Sequence, residues 1–71
     1  MSWNQSVFSS NVDLVGYNDS TGELEITWKS GKVSAYAGVS EELALQVANA
    51  PSVGQAINSM IKNQFGHRYV R

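Results

Sequence analysis

From Glu23 to Lys29 the chain reads ELEITWK, in which Leu24, Ile26 and Trp28 interleave with Glu23, Glu25, Thr27 and Lys29. Successive side chains of a strand point to opposite faces, so this stretch has one face for a core and one for water and predicts a half-buried strand. Val12-Asp13-Leu14-Val15-Gly16-Tyr17 reads as a strand before it, and Asn18-Asp19-Ser20-Thr21-Gly22 supplies residue types that tolerate a tight turn. After it, Ser30-Gly31 makes a short hairpin turn into Lys32-Val33-Ser34-Ala35-Tyr36-Ala37. The three strands form an antiparallel meander.

The second half changes period. Ser40 can accept hydrogen bonds from the free amides of a helix start, Glu41 and Glu42 complement the positive end of its dipole, and Leu43, Ala44, Val47 and Ala48 give an apolar stripe. Pro51 stops that helix. Ser52-Val53-Gly54-Gln55 has the form of a capping box, and Val53, Ile57, Met60, Ile61 and Phe65 follow at helical spacing up to Gly66, a residue suited to a left-handed cap. A second helix is therefore expected over 52–65. The tail, His67 to Arg71, follows as a last short strand or an ordered arm. The expected fold is α+β: a small antiparallel meander of three to four strands covered on one face by two helices.

A chain of 71 residues is one domain with little stability to spare, and such domains recruit disulfides, a metal or self-association. With no cysteine, disulfides, thiolate metal sites and a Cys nucleophile are excluded together. A single histidine also leaves a structural zinc site short of ligands, so neither a metal nor a cofactor is expected. Self-association remains, and a homo-oligomer, dimer or tetramer, is expected. No apolar run approaches the roughly 20 residues that span a bilayer, and MSWNQS lacks the basic and apolar regions of a signal peptide. A cytoplasmic protein is expected.

Ser9-Ser10-Asn11-Val12, Val15-Gly16-Tyr17-Asn18, Leu24-Glu25-Ile26, Ser30-Gly31, Tyr36, Gly38-Val39, Ser52-Val53-Gly54, Asn58 and Ile61-Lys62 occur in an order and spacing that resembles the KTSC domain. That family of small domains is found at the C-terminus of some lysyl-tRNA synthetases and as stand-alone bacterial and phage proteins. The resemblance covers residues 9–71, which leaves 1–8 as an N-terminal arm. It implies the fold strongly and no established reaction; RNA binding is suggested for the family from the synthetase association. The chain departs from the family pattern at three places. The Tyr-x-Tyr is Ser34-Ala35-Tyr36, the Val-Pro that opens the first helix is Val39-Ser40, and the aromatic pair after Gly54 is Ala56-Ile57. An RNA-stacking surface built on those aromatics is thinned here.

Catalytic patterns are weak. His67 lies past a helix end with no nucleophile elbow anywhere in the chain. Glu41 and Glu42 diverge by about 100° on a helix, and Glu23 and Glu25 stand about 7 Å apart on the solvent face of a strand. The Asn18–Glu23 stretch faintly echoes a calcium loop but lacks the twelfth-position ligand and flanking helices, and a turn explains it. The chain is expected not to be an enzyme.

Charge is more informative. Five cations stand against six acids, with a pI near 5.6, so long nucleic acid is disfavoured as a partner. Yet Lys62, Arg68 and Arg71 crowd the end of the chain beside His67. A small anion needs only two or three cations, a few amides and a ring, all aimed at one point. Gly54, Asn58 and Lys62 lie at successive i+4 steps and form a polar stripe beside the apolar one, next to helix-start amides that suit a phosphate. The alternative is structural: Gly54 permits close packing, Asn58 caps a neighbouring backbone and Lys62 is merely solvated. The candidate ligand-binding set is Tyr36, Ser52, Gly54, Asn58, Lys62, His67 and Arg68, with Trp3, Tyr17 and Tyr69 as candidate stacking residues and Trp28 as core. In a symmetric oligomer a tail could reach the next subunit's pocket.

The expected function is therefore non-enzymatic binding of a small nucleotide-like anion by a homo-oligomer. For a stand-alone member resembling the phage ones, this would be a sponge sequestering a nucleotide immune signal in the host cytoplasm. The alternatives are an RNA- or tRNA-binding accessory domain and a protein-protein interaction module using Trp3, Tyr36 and the outer sheet face.

Overall fold

In the computed structural model, which describes residues 2–71, the alternating stretch is the central strand of a five-stranded antiparallel sheet. The strands follow chain order across the sheet: β1 (Trp3–Ser6), β2 (Val12–Asn18), β3 (Glu23–Trp28), β4 (Val33–Ala37) and β5 (Gly66–Tyr69). Between β4 and β5 the chain makes α1 (Glu41–Ala48) and α2 (Val53–Ala56), which runs on into a π-helical turn, Ile57–Ile61. The class is α+β as expected; the tail supplies a fourth strand, and the N-terminal end supplies a fifth beyond the expected three to four. Residues 3–6 of the expected arm form β1 and the tail forms β5.

Register explains how the faces are used. The row Trp3–Tyr17–Leu24–Tyr36–His67 and the row Gln5–Val15–Ile26–Ser34–Tyr69 cross all five strands on one face. Their central members are buried against Ala44, Val47 and Ala48 of α1 and Val53, Ile57 and Ile61 of the second helical segment. The helical cover is off centre. Trp3 Nε1 donates to Glu41 Oε2 at 3.0 Å and Gln5 Nε2 donates to the Ala48 carbonyl at 3.3 Å, so α1 lies over the β1–β2 side. At the other end of the same face His67 and Tyr69 stay exposed. That uncovered end positions the site.

Local chemistry sets the turns. Ser40 Oγ accepts from the Leu43 amide at 3.2 Å and starts α1, which ends at Asn49, two residues before Pro51. Trp28 N donates to Lys32 O and Gly31 N to Trp28 O, each at 2.9 Å, closing a three-residue hairpin loop whose last residue, Gly31, sits at φ 95°. A left-handed residue at that position is what such a loop requires.

The second helix differs from expectation. Ser52 caps no amide with its side chain, and the helical segment stops at Ile61 rather than at 65. Lys62 N reaches back five residues to Ile57 O at 2.7 Å, the widened turn of a π-helix. Lys62 (φ −62°, ψ 131°), Asn63 (φ 68°) and the Gln64 N to Ile61 O bond of 3.0 Å then make a type II turn. Asn63, not Gly66, takes the left-handed position, and Gly66 begins β5 opposite Ala37. No helix of the described residues is long and apolar enough to cross a membrane.

Candidate functional site

The uncovered end of the inner face carries a line of rings. Tyr36 and His67, directly opposite one another on β4 and β5, have centroids 4.9 Å apart, and Tyr69 meets His67 edge-on at 4.7 Å. Lys32 Nζ lies 5.1 Å from the Tyr69 ring centre. Facing these rings, the π-helical turn and the type II turn present Ile57, Asn58, Lys62, Asn63 and Phe65. Trp28 and Ser34 complete a cleft of ≈ 430 Å³, within the size range of small-molecule sites. The Trp28 indole is pinned there, since its Nε1 donates to Ser34 Oγ at 2.8 Å.

A second cleft of ≈ 550 Å³ adjoins it and shares Trp28, Asn58 and Lys62; its far side is formed by Phe8, Ser52, Gly54 and Gln55. A Cβ built on Gly54 would meet only Ser9 Oγ, at 4.0 Å, so packing does not demand glycine there.

The structure thus gathers Tyr36, Asn58, Lys62, His67 and Tyr69 around one cleft and sets Ser52 and Gly54 in the next. It does not bring Arg68 with them. Neighbouring residues of a strand face opposite ways, so with His67 on the inner face Arg68 is on the outer one. There its Nε and Nη2 donate to the two Glu23 carboxylate oxygens at 3.1 and 3.0 Å. This bidentate pair holds the Glu23 carboxyl below its usual range, first through the Arg68 hydrogen bond, and pushes the guanidinium pKa up.

Trp3 and Tyr17 share a row with Tyr36 but stand at its far end. Their rings lie 6.2 Å apart, the Tyr17 hydroxyl donates to the Val39 carbonyl at 2.8 Å, and Trp3 is tied to Glu41. Both are occupied holding the sheet to its cover. Trp3 and Tyr36 therefore lie on the inner face, so the interaction-module reading, which uses them together with the outer sheet face, draws on two opposite faces.

Neither cleft is lined by Asp or Glu. Burial, and then Tyr69, push the Tyr36 phenol up, so this ring too stays uncharged at neutral pH. Lys62 supplies an ammonium, Asn58 an amide that both donates and accepts, and the rings supply faces for stacking. Sequence reasoning takes Trp28 for core, and it does pack partly buried against the core, but its second role as a wall of the cleft is missed, as are Ser34, Asn63 and Phe65. The signal for Trp28 is its place at the last position of β3, where a strand leaves its cover and an indole can be apolar on one side only.

Comparison with known proteins agrees with the fold. A model of the KTSC domain matches residues 8–65. The crystal structure of a KTSC domain protein from Yersinia pestis superposes with a TM-score of 0.90 at 28% identity, covering 100% of each chain. No curated protein matches the chain. With the family match spanning most of the sequence and the solved relative superposing over its whole length, the chain belongs to the KTSC domain family.

Proposed function

We propose that this protein binds a small, nucleotide-like anion in the cleft between the second helical segment and the β4–β5 edge, and that it does so without chemical turnover. One observation carries the reading: Asn58 and Lys62 face the Tyr36–His67–Tyr69 ring line across ≈ 430 Å³ with no carboxylate among the lining residues. A cation that has no acid beside it keeps its charge available to a ligand, and the exposed His67 and Tyr69 rings, backed by buried Tyr36, offer an apolar surface to a base. His67 lacks the lining carboxylate that would orient it as a general base, which supports holding over hydrolysing.

Sequestration of a soluble nucleotide signal is the biological role that suits a binder of this kind. Self-association is part of the proposal. Phe8 is 103% exposed, Tyr69 62% and Val70 42%, and β5 is an edge strand exposed along its length; such features support pairing between copies.

Calorimetric titration of AMP, ADP, ADP-ribose and cyclic AMP into the protein tests the reading. Binding of at least one of them is expected, weakened about tenfold by Lys62→Ala and similarly by Asn58→Ala. Arg68→Ala, which alters only the opposite face, is the control. Absence of heat with every ligand sinks the proposal.

A further inference from the structure

Trp28 borders a third cleft as well. A more open cleft of ≈ 340 Å³ is lined by Asn11, Trp28, Lys29, Ser30, Lys32 and Tyr69, and it meets the second cleft at Asn11 and Trp28. Trp28 and Tyr69 belong also to the ring-lined cleft, so these two side chains are the partition between the two spaces. The partition is held from both directions, by the Trp28 Nε1 bond to Ser34 Oγ at 2.8 Å and by Lys32 Nζ at 5.1 Å from the Tyr69 ring centre.

Charge is segregated around it. The chain carries a net charge of −1, yet Lys29, Lys32 and Lys62 line this connected set of clefts and no Asp or Glu does. Two cationic groups set on opposite sides of an aromatic ridge make two separate anion subsites, because a single phosphate beside Lys62 leaves Lys32 with the Tyr69 ring and no phosphate of its own. Lys62 and Asn58 serve one subsite; Lys32, Lys29, the Ser30 hydroxyl and the Asn11 amide serve the other; the ridge offers ring faces between them. A polymer would need the cationic path to continue. Along β5 that path is interrupted, because the next cation, Arg68, faces the other side and is paired with Glu23; past the strand end, Arg71, whose carbonyl accepts from the Val33 amide at 3.1 Å, adds one further cation at that edge.

We infer that the ligand is a dinucleotide: a molecule with two phosphates set apart by a nucleoside, one phosphate held at Lys62 and Asn58, the other at Lys32 and Lys29, across the Trp28–Tyr69 ridge. This inference rests on the nucleotide reading above and names its ligand class.

The test is calorimetric titration of the full chain with AMP, with the 5′-phosphorylated dinucleotide pApA, and with a 5′-phosphorylated oligoadenylate of eight residues. For the unmodified protein pApA binds at least about tenfold tighter than AMP. Lys32→Ala, and independently Lys32→Gln, cut that advantage below about threefold, whereas Lys62→Ala weakens both ligands about tenfold. Circular dichroism of each variant confirms that it is folded.

If pApA binds no tighter than AMP, or keeps its advantage in both Lys32 variants, the second subsite is wrong and the nucleotide reading stands. If neither AMP nor pApA gives heat, the dinucleotide inference falls, and the nucleotide reading falls with it when ADP, ADP-ribose and cyclic AMP give none either. If the oligoadenylate binds at least about tenfold tighter than pApA, the two-phosphate site is overturned in favour of a polymer surface.

Discussion

Arg68 and Tyr36 show how single residues of this chain couple to pH. The Arg68 guanidinium stabilises the ionised form of Glu23, whose side chain is 13% exposed, so the Glu23 pKa is lower folded than unfolded. A depressed carboxylate contributes stability above its unfolded pKa, and that contribution disappears as pH falls through the folded value. The thermal midpoint of Glu23→Gln should therefore fall less than that of the unmodified protein between about pH 5 and about pH 3. Equal acid limbs would remove the pair from the stability account. Tyr36 has the opposite sign. Burial raises its phenol pKa, so the associated stability is whole below about pH 10 and is lost as pH climbs through the folded value. Tyr36→Phe keeps the ring and should soften the alkaline fall in midpoint, read by circular dichroism between about pH 9 and about pH 11.

At the scale of elements, the second helical segment decides where the site's polar groups stand. Four α-helical residues, one π-helical turn and a type II turn bring Asn58 and Lys62 to the mouth of the cleft and return the chain to pair with β4. A type II turn needs a left-handed residue at its third position, which Asn tolerates and β-branched residues do not. Asn63→Val is expected to cost about 1–2 kcal/mol in urea unfolding and Asn63→Gly less than about 0.5 kcal/mol. Because Lys62 is the preceding turn residue, Asn63→Val should also weaken nucleotide binding while Asn63→Gly retains it. Gly54 lies one turn from Asn58 and has room for a methyl group. Gly54 is in the first turn of the helical segment, so Gly54→Ala should raise stability by about 0.5 kcal/mol, less than the roughly 1 kcal/mol of a helix interior. A loss of affinity in that variant would mark the second cleft as occupied.

For the molecule as a whole, small size is the governing fact. Leu24, Ile26, Ile57 and Ile61 are its largest fully buried apolar side chains. A domain of 71 residues commands about 4–11 kcal/mol, and Leu24→Ala removes about 2–5 kcal/mol of it. The urea midpoint of that variant should fall by about a fifth or more; a smaller fall would mean that the core relaxes around the deletion. The same economy makes association valuable, and native mass spectrometry of the fresh protein reads subunit number and any retained nucleotide together. A mass of one subunit would remove the homo-oligomer from the proposal.

The central three strands and α1 were legible because their evidence is local: period-two alternation, turn residues and a serine at a helix start are properties of neighbours along the chain. The grouping of Tyr36, Asn58, Lys62 and His67 was legible for a related reason, since helical spacing and proximity to the tail already converge on one end of the fold. The edge strands were legible only in part: the tail was expected as a strand or an arm, and residues 3–6 only as an arm. β1 and β5 bury almost no side chains, so they leave no apolar alternation and exist only because a neighbouring strand offers its backbone. Pairing of β5 with β4 in turn dictates that His67 and Arg68 face apart, which broke the expected cationic cluster and gave Arg68 to Glu23. Neighbour chemistry along a chain sets which elements can form; which side of the sheet a charge ends on depends on partners far away in sequence, and those are known only once the chain has folded.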